Sequence, residues 1–345
     1  MKRNWSCRLL ASSLLAGLLA VLMPSKATAT NCPVTALVCT TAITLPNGDP
    51  ADVYYPNVPA AYRQYFANAF PVVVVLQGAN IEKGVYSQLG TRLARSLFVV
   101  VIPNHLRSVP TGPPPAPVLT GFFSSASVVS NALAQIQVED NNPVSPLYSI
   151  VDTDAVGLVG HSFGGVAGLQ ASALDGCAAA PIPPFCEGPY TRPAGLKAAV
   201  FYGTNLVVPI TPPPPPPAPQ DFVINLNTSG VAVALMQGTL DGISPLQKAE
   251  RTYPTLEEPR GLITISGANH YGISDVNNPP GAQPDFTPPT LPQSEAVARV
   301  TRWTGLWLRA QLRNDPFARW WIYQAEGSLD GVVEVCTEDL LICQQ

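Results

Sequence analysis

Short apolar runs recur along this chain, and stretches with helical spacing separate them. The plainest runs cover 71–76, 97–102, 156–159, 196–202, 231–236 and 262–265, and the pattern predicts no strand after the last of these. Continuous apolar runs are typical of strands that are buried on both faces, as in parallel sheets. The pattern therefore predicts an α/β fold with a mostly parallel central sheet and helices on both faces.

Two further elements stand out near the ends of the chain. Residues 41–44 and 52–55 flank Asn47-Gly48, a dipeptide that favours a tight hairpin turn, so we expect two antiparallel edge strands. Residues 294–313 predict a long amphipathic helix. Its buried side should carry Val297, Val300, Trp303, Leu306, Trp307 and Leu308, and we expect Trp320 and Trp321 to be packing groups as well.

Residues 1–29 have the pattern of a secretory signal peptide. Basic residues precede a largely apolar run at 9–23, and the small residues Ala27-Thr28-Ala29 follow. The alternative, an uncleaved anchor, is disfavoured because this run of about fifteen residues is shorter than the ~20 that span a bilayer. We expect cleavage after Ala29, no stable membrane span, a secreted or periplasmic location, and a single domain over 30–345.

Charge argues against nucleic acid as a partner. The chain has 19 basic and 23 acidic residues, a formal net charge of −4. Loss of the signal would remove four basic residues and no acidic one, which changes the net charge to −8. Such an acidic chain is a poor match for a phosphate backbone.

Six cysteines would remain in the exported chain, and an even number in such a chain predicts disulfides. Fifteen pairings are possible for six cysteines. Of these we favour the three local ones, Cys32 with Cys39, Cys177 with Cys186, and Cys336 with Cys343. A metal site is disfavoured because no histidine lies near any of the pairs.

The 38 prolines are concentrated in loops. An unbroken run at 212–217 predicts a polyproline II segment inside a proline-rich insertion around 205–229. We interpret it as a spacer between two core strands. The alternative is a stiff flap at the mouth of a binding site.

The candidate chemistry centres on Gly160-His161-Ser162-Phe163-Gly164. An apolar run precedes this Gly-x-Ser-x-Gly motif, and small apolar residues at helical spacing follow it. That context predicts a strand–turn–helix elbow with the serine at its tip. Glycine is expected at both ends, because a Cβ there would collide with the neighbouring strand or helix. Ser162 is therefore the candidate nucleophile.

A serine nucleophile needs a histidine base that an acid holds in one tautomer. His270 lies in a glycine-bearing loop after the last predicted strand and is the candidate base. His105 lies upstream of the serine, in the wrong chain order for this architecture. His161 is next to the serine in the elbow, so we expect it to point away and to be structural.

Asp241 is the candidate acid, because it follows the strand at 231–236 and precedes His270 by 29 residues. Asp221 is the alternative acid. The backbone N–H groups of Phe163 and Ala79 are the candidate oxyanion-hole donors, one after the serine and one in the loop after the strand at 71–76. The remaining candidates, as substrate contacts in an apolar cleft, are Asn80, Ile243 and Tyr271.

With these motifs, the region from about 41 to 312 resembles the α/β-hydrolase superfamily, and within it the chlorophyllase-like, cutinase-like and polyester-hydrolase-like serine esterases. The marks of the resemblance are Gln77-Gly78-Ala79, Gly160-His161-Ser162-Phe163-Gly164-Gly165, Gly238-Thr239-Leu240-Asp241 and Asn269-His270-Tyr271. It implies the α/β-hydrolase fold and hydrolysis of carboxylic esters through an acyl-enzyme, without a metal or an organic cofactor. Two departures are Gln77, where many members carry histidine or serine-proline, and the long proline-rich region at 181–221.

We therefore expect an exported, monomeric serine hydrolase that acts on a small-molecule or lipid-like ester. A serine peptidase or amidase is one alternative, because the same triad cleaves amides; the lack of a propeller or large cap domain disfavours it. The other alternative is an inactive binding protein of the same fold. The presence of all three triad residue types in the right order disfavours that interpretation.

Overall fold

A nine-stranded sheet forms the centre of the computed structural model, which describes residues 32–33, 35–110, 115–177, 184–188, 190–210, 220–338 and 340–343. The strands in chain order are β1 (Val38–Thr44), β2 (Pro50–Pro56), β3 (Phe70–Leu76), β4 (Val99–Pro103), β5 (Leu106–Pro110), β6 (Val118–Phe122), β7 (Val151–His161), β8 (Leu196–Tyr202), β9 (Val207–Ile210), β10 (Gln220–Val223), β11 (Ala232–Gly238), β12 (Arg260–Ile265) and β13 (Val333–Cys336). The sheet order is β1-β2-β4-β3-β7-β8-β11-β12-β13. The six strands from β4 to β12 in this order run parallel, and β2 and β13 join them antiparallel.

Helices cover both faces of the sheet. They are α1 (Ser87–Arg95), α2 (Ser127–Asn141), α3 (Phe163–Ser172), α4 (Leu246–Thr252), α5 (Gln293–Leu312), α6 (Pro316–Tyr323) and α7 (Leu340–Cys343), with 3-10 turns at Ala60–Phe66, Lys83–Tyr86 and Tyr253–Thr255. Strand β3 is apolar at every position because both of its faces are buried. Val72 and Val74 pack in the core beneath α2, α3 and α4, whereas Val73 and Val75 pack in the core beneath α1 and α5. Both faces of the strand are thus buried under helices. The predicted mostly parallel α/β architecture is confirmed.

The N-terminal hairpin and the long C-terminal helix are confirmed too. β1 and β2 pair antiparallel, with Thr41 opposite Val53. Of the two, β1 is an edge strand as predicted, whereas β2 is not, because it also pairs with β4. The six residues predicted to be buried on α5 are all buried. Trp320 packs its ring edge-on against Trp321, with the centroids 5.7 Å apart, but it is 46 % exposed on α6 and does not belong to the core.

The prediction that 262–265 is the final strand is wrong. β13 pairs antiparallel with β12 and closes that side of the sheet. Its sequence Val-Glu-Val-Cys is only four residues long and is interrupted by the exposed Glu334, so it lacks the continuous apolar run of a central strand. The short hairpins β5–β6 and β9–β10 were also not predicted, because their strands have only four or five residues and flank proline-rich stretches of the sequence.

Three disulfides close short segments, and the predicted local pairing is confirmed. They join Cys32 to Cys39, Cys177 to Cys186, and Cys336 to Cys343, with Cα–Cα distances of 5.4, 5.6 and 5.7 Å. Among the described residues, no helix has the length and apolarity needed to cross a bilayer. The predicted signal peptide at 1–29 and the proline run at 212–217 lie outside the described residues.

Candidate active site

Ser162 occupies a strained turn between β7 and α3. Its backbone has φ 52° and ψ −119°, a region that L-residues rarely enter. A Cβ on Gly164 would lie 2.2 Å from the carbonyl oxygen of Leu76, and one on Gly160 would lie 2.7 Å from the carbonyl oxygen of Gly164. Only glycine fits at either position, so the sequence motif folds as the predicted strand–turn–helix elbow. The Ser162 side chain is left half-buried at its tip.

His270 and Asp241 form a buried pair at the same edge of the sheet. Asp241 follows β11 and His270 follows β12, and the ends of parallel strands lie side by side. His270 Nδ1 is 2.8 Å from Asp241 Oδ2 and 3.0 Å from Oδ1. A carboxylate only accepts, so Nδ1 carries the hydrogen and Nε2 is left free to accept a proton. Asp221, the alternative acid, is instead paired with Arg251 over 3.2 Å.

The orientation of the Asp241 carboxylate is fixed by its own turn. Oδ1 accepts from the backbone N–H groups of Ile243 (3.0 Å) and Ser244 (2.6 Å), and Oδ2 accepts from the Gln237 amide (2.7 Å). These three hydrogen bonds hold the carboxylate in the orientation in which both of its oxygens also face His270 Nδ1.

The end of β8 brings this pair against the elbow. Ser162 N–H donates to the carbonyl oxygen of Tyr202 over 2.9 Å. The next residue, Gly203, has φ +62°, and a Cβ there would lie 3.0 Å from His270 Nδ1 and 3.1 Å from Asp241 Oδ2. Within the described residues, the Ser162 hydroxyl makes no hydrogen bond to His270.

The two candidate oxyanion donors keep unused N–H groups. Gly78 N–H donates to Tyr86 Oη (3.0 Å) and Asn80 N–H donates to the carbonyl oxygen of Phe122 (2.8 Å), but no described protein group accepts from Ala79 N–H, which lies between them. The same holds for Phe163 N–H at the first turn of α3, where the helix dipole favours negative charge. Their role as an oxyanion hole stays a prediction.

Gln77 is fully buried, and its side-chain amide connects this loop to neighbouring segments. Its Oε1 accepts from His105 N–H (2.9 Å), and its Nε2 donates to the carbonyl oxygen of Ile81 (2.6 Å) and to Asn104 Oδ1 (3.3 Å). One fully buried amide thus ties the end of β3 to the loop after β4 and to the Ala79 loop itself.

His161 is fully buried, and both of its ring nitrogens are used. Nδ1 lies 2.9 Å from Tyr86 Oη, and Nε2 lies 2.9 Å from the carbonyl oxygen of His270. Burial, together with the nearby His270, lowers the pKa of His161 well below its ordinary value. His161 is therefore a neutral structural residue, in keeping with its predicted role.

Sequence reasoning missed Asp285, a buried carboxylate beside the pair. Its Oδ2 accepts from the backbone N–H of His270 (3.0 Å) and from that of Gly242 (3.2 Å), while Oδ1 accepts from Thr287 N–H (2.9 Å). Asp285 lies in the irregular segment between β12 and α5, at no motif spacing from the triad residues, so no sequence signal could have found it.

The predicted substrate contacts differ in exposure. Asn80 and Ile243 are half-buried near the candidate site, and their role stays a prediction. Tyr271 is 2 % exposed, and its hydroxyl donates to the carbonyl oxygen of Gln283, so its side chain is a packing group. Burial, with the charges of Asp285 and Asp241, raises the pKa of Tyr271 to about 12.

Two aromatic residues that the sequence did not indicate flank the residue after the serine. The Phe163 ring lies 4.5 Å from the Phe185 ring and 5.2 Å from the Phe123 ring, measured between centroids. Phe185 precedes Cys186, so the Cys177–Cys186 disulfide closes the loop that carries it. We call these three rings, which start at the residue after Ser162, the aromatic wall; the Arg107 guanidinium carbon lies 5.9 Å from the centroid of the Phe163 ring.

His105 belongs to a separate cluster. Its Nδ1 is 2.7 Å from Asp49 Oδ2, and its Nε2 is 2.8 Å from Glu187 Oε2. Burial opposes the charged ring, but the hydrogen bonds and charges of the two carboxylates outweigh it and raise the pKa of His105 above its ordinary value. His105 thus links the turn of the N-terminal hairpin to the residue after Cys186.

The described residues hold no group of three or more histidine, cysteine or acidic side chains arranged to bind a metal. Comparison with known proteins adds no assignment, because no protein-family model and no curated protein sequence matches this chain.

Proposed function

We propose that this chain is an exported serine hydrolase of the α/β-hydrolase fold that cleaves carboxylic esters. The observation that carries the proposal is the buried Asp241–His270 pair, whose hydrogen-bonded atoms are 2.8 Å apart. The pair packs against Gly203, and the residue before it, Tyr202, accepts a hydrogen bond from Ser162 N–H. The elbow, the strand order and the chain order Ser162, Asp241, His270 support the proposal.

The chemistry follows from these positions. Ser162 Oγ attacks the ester carbonyl carbon while His270 Nε2 takes the hydroxyl proton, and the Asp241 carboxylate stabilises the imidazolium that forms. The N–H groups of Ala79 and Phe163 donate hydrogen bonds to the carbonyl oxygen as it becomes negatively charged. His270 then gives the proton to the departing alcohol, and the acyl-enzyme remains. A water molecule repeats the attack and releases the acid.

The substrate class is a small-molecule or lipid-like ester. The half-buried rings of Phe163 and Phe185 support this class, because they offer apolar area beside the nucleophile. Three disulfides support assembly in an oxidising compartment, either outside the cell or in the periplasm.

Hydrolysis of p-nitrophenyl esters of increasing acyl length, together with labelling by a fluorophosphonate, tests the proposal. Ser162→Ala and His270→Ala should each lower kcat by several orders of magnitude and abolish labelling, because triad members act as one unit. Asp241→Asn should cost somewhat less. His105→Ala is the matched control, since His105 also bonds a carboxylate but lies in a separate cluster.

An unlabelled wild-type protein would indicate a binding protein of the same fold. Labelling with turnover of peptide amides but not of esters would indicate a peptidase. Loss of activity in His105→Ala with activity retained in His270→Ala would show that the wrong histidine had been assigned.

A further inference from the structure

The main chain of His270 is held from two sides by buried side chains. Its N–H donates to Asp285 Oδ2 over 3.0 Å, and its carbonyl oxygen accepts from His161 Nε2 over 2.9 Å. Asp285 is 4 % exposed and His161 is fully buried, so water does not compete for either bond. These bonds fix the backbone from which the His270 ring extends.

The tautomer of His161 follows from its partners. The carbonyl oxygen of His270 can only accept, so Nε2 of His161 carries the hydrogen. The ring is neutral, which leaves a lone pair on Nδ1. Tyr86 Oη, 2.9 Å away, must then donate its proton to Nδ1. It accepts in turn from Gly78 N–H over 3.0 Å.

A chain of hydrogen bonds therefore runs from Gly78 N–H through Tyr86 and His161 to the carbonyl oxygen of His270, and each group in it donates to the next. Gly78 precedes Ala79, the candidate oxyanion donor in that loop. The chain thus connects the loop that would bind the oxyanion with the residue that would move the proton. Loss of the Tyr86 hydroxyl would leave buried groups unpaired at Gly78 and at His161, which is costly in a dry interior.

Asp285 connects the base to the acid in a similar way. Its Oδ2 accepts from both His270 N–H and Gly242 N–H, and Gly242 follows Asp241. Its Oδ1 accepts from Thr287 N–H. An asparagine at this position has one acceptor oxygen, so its NH₂ group would face at least one backbone N–H.

We propose that His161 and Asp285 are positioning residues that hold His270 in its working place, and that Tyr86 selects the tautomer of His161 that can do so. This inference rests on the proposed ester hydrolysis and goes beyond it, because none of the three side chains is assigned contact with substrate or with the reacting atoms. Their removal should lower kcat and leave KM close to the wild-type value.

Two amide substitutions of His161 give the sharpest test. In His161→Gln the amide nitrogen can reach the position of the imidazole Nε2 and donate to the His270 carbonyl oxygen, whereas the shorter amide of His161→Asn mimics Nδ1 and cannot. Both replace a buried ring by an amide. We expect His161→Gln to keep kcat within a few-fold of wild type and His161→Asn to lose about tenfold to a hundredfold, the scale of a misplaced catalytic group.

Tyr86→Phe and Asp285→Asn carry the test if the His161 variants fail to fold. Each should lower kcat by about tenfold or more at nearly constant KM. Tyr253→Phe and Asp330→Asn are the matched controls, because they alter a buried hydroxyl and a buried carboxylate whose described partners, the Glu338 carbonyl oxygen and Arg299, lie outside the triad loops. The controls should lose stability in thermal unfolding and keep kcat.

The outcomes separate this proposal from the proposed function. A wild-type protein without ester turnover or fluorophosphonate labelling would overturn the function itself. With an active wild type, equal kcat values for His161→Gln and His161→Asn, or wild-type kcat in Tyr86→Phe and Asp285→Asn, would overturn the positioning role alone.

Discussion

Gly203 lies at the end of β8 with no side chain between the main chain and the Asp241–His270 pair. In Gly203→Ala the new Cβ would lie 3.0 Å from His270 Nδ1 and 3.1 Å from Asp241 Oδ2. Optimal contacts between heavy atoms are about 3.5–4.0 Å. The pair must therefore move by roughly half an ångström, or the backbone must move instead.

Two effects of this substitution can be separated. The φ of +62° costs an alanine about 1–2 kcal/mol, whatever space it has. The steric contact adds a displacement of the base, and since a 1 Å misplacement can cost about a hundredfold in rate, we expect kcat to fall about tenfold. Stability reports the first effect and kcat reports the second.

Gly48→Ala is the matched control, because Gly48 has φ +88° and no atom lies within 4 Å of the position that an alanine Cβ would occupy. Both variants should lower the unfolding temperature by roughly 2–3 °C, because an unfolding entropy of about 2 cal/mol/K per residue gives about 1.5 °C per kcal/mol in a chain of this length. Only Gly203→Ala should lower kcat for a p-nitrophenyl ester. If its kcat equals that of Gly48→Ala while both are folded, the pair does not act from this position and the reasoning fails.

Two further predictions concern the residues around the aromatic wall. Because the pKa of His105 is raised in the folded state, its ion pairs stabilise the fold fully below the ordinary histidine pKa of about 6.5 and less as the pH rises above it. The unfolding free energy of wild type relative to His105→Gln, from urea denaturation across this range, should therefore fall as pH increases; parallel curves would contradict the assignment. Phe185→Ala should raise kcat/KM for branched or long acyl esters relative to acetate, because it removes a ring 4.5 Å from Phe163. Phe317→Ala, which truncates an exposed ring on α6, should leave the ratio unchanged, and an equal ratio in both variants would show that Phe185 does not border the substrate.

The central sheet could be predicted because its strands are buried on both faces. β3 is apolar at every position since each face packs under helices, and that pattern is visible without any partner. The elbow could be predicted for a local reason as well: Gly160 and Gly164 are required by contacts within a few residues of Ser162 or with the adjacent strand. The short separations of the cysteines likewise made the local disulfides the simplest pairing.

Other features depend on contacts between distant segments, and no local pattern reports them. β13 is a four-residue strand interrupted by the exposed Glu334, and it is recognised only by its pairing with the edge of β12. Asp285 acquires its partners from the loops after β11 and β12. Tyr86 and His161 are 75 residues apart, and Phe185 meets Phe163 only through the disulfide-closed loop. The sequence alone determined the residue types of the candidate site, because chain order and strand ends fix which residues reach one edge of a parallel sheet. Only the tertiary structure decided which buried groups hold them there, because a hydrogen bond between remote loops requires the whole sheet to be assembled first.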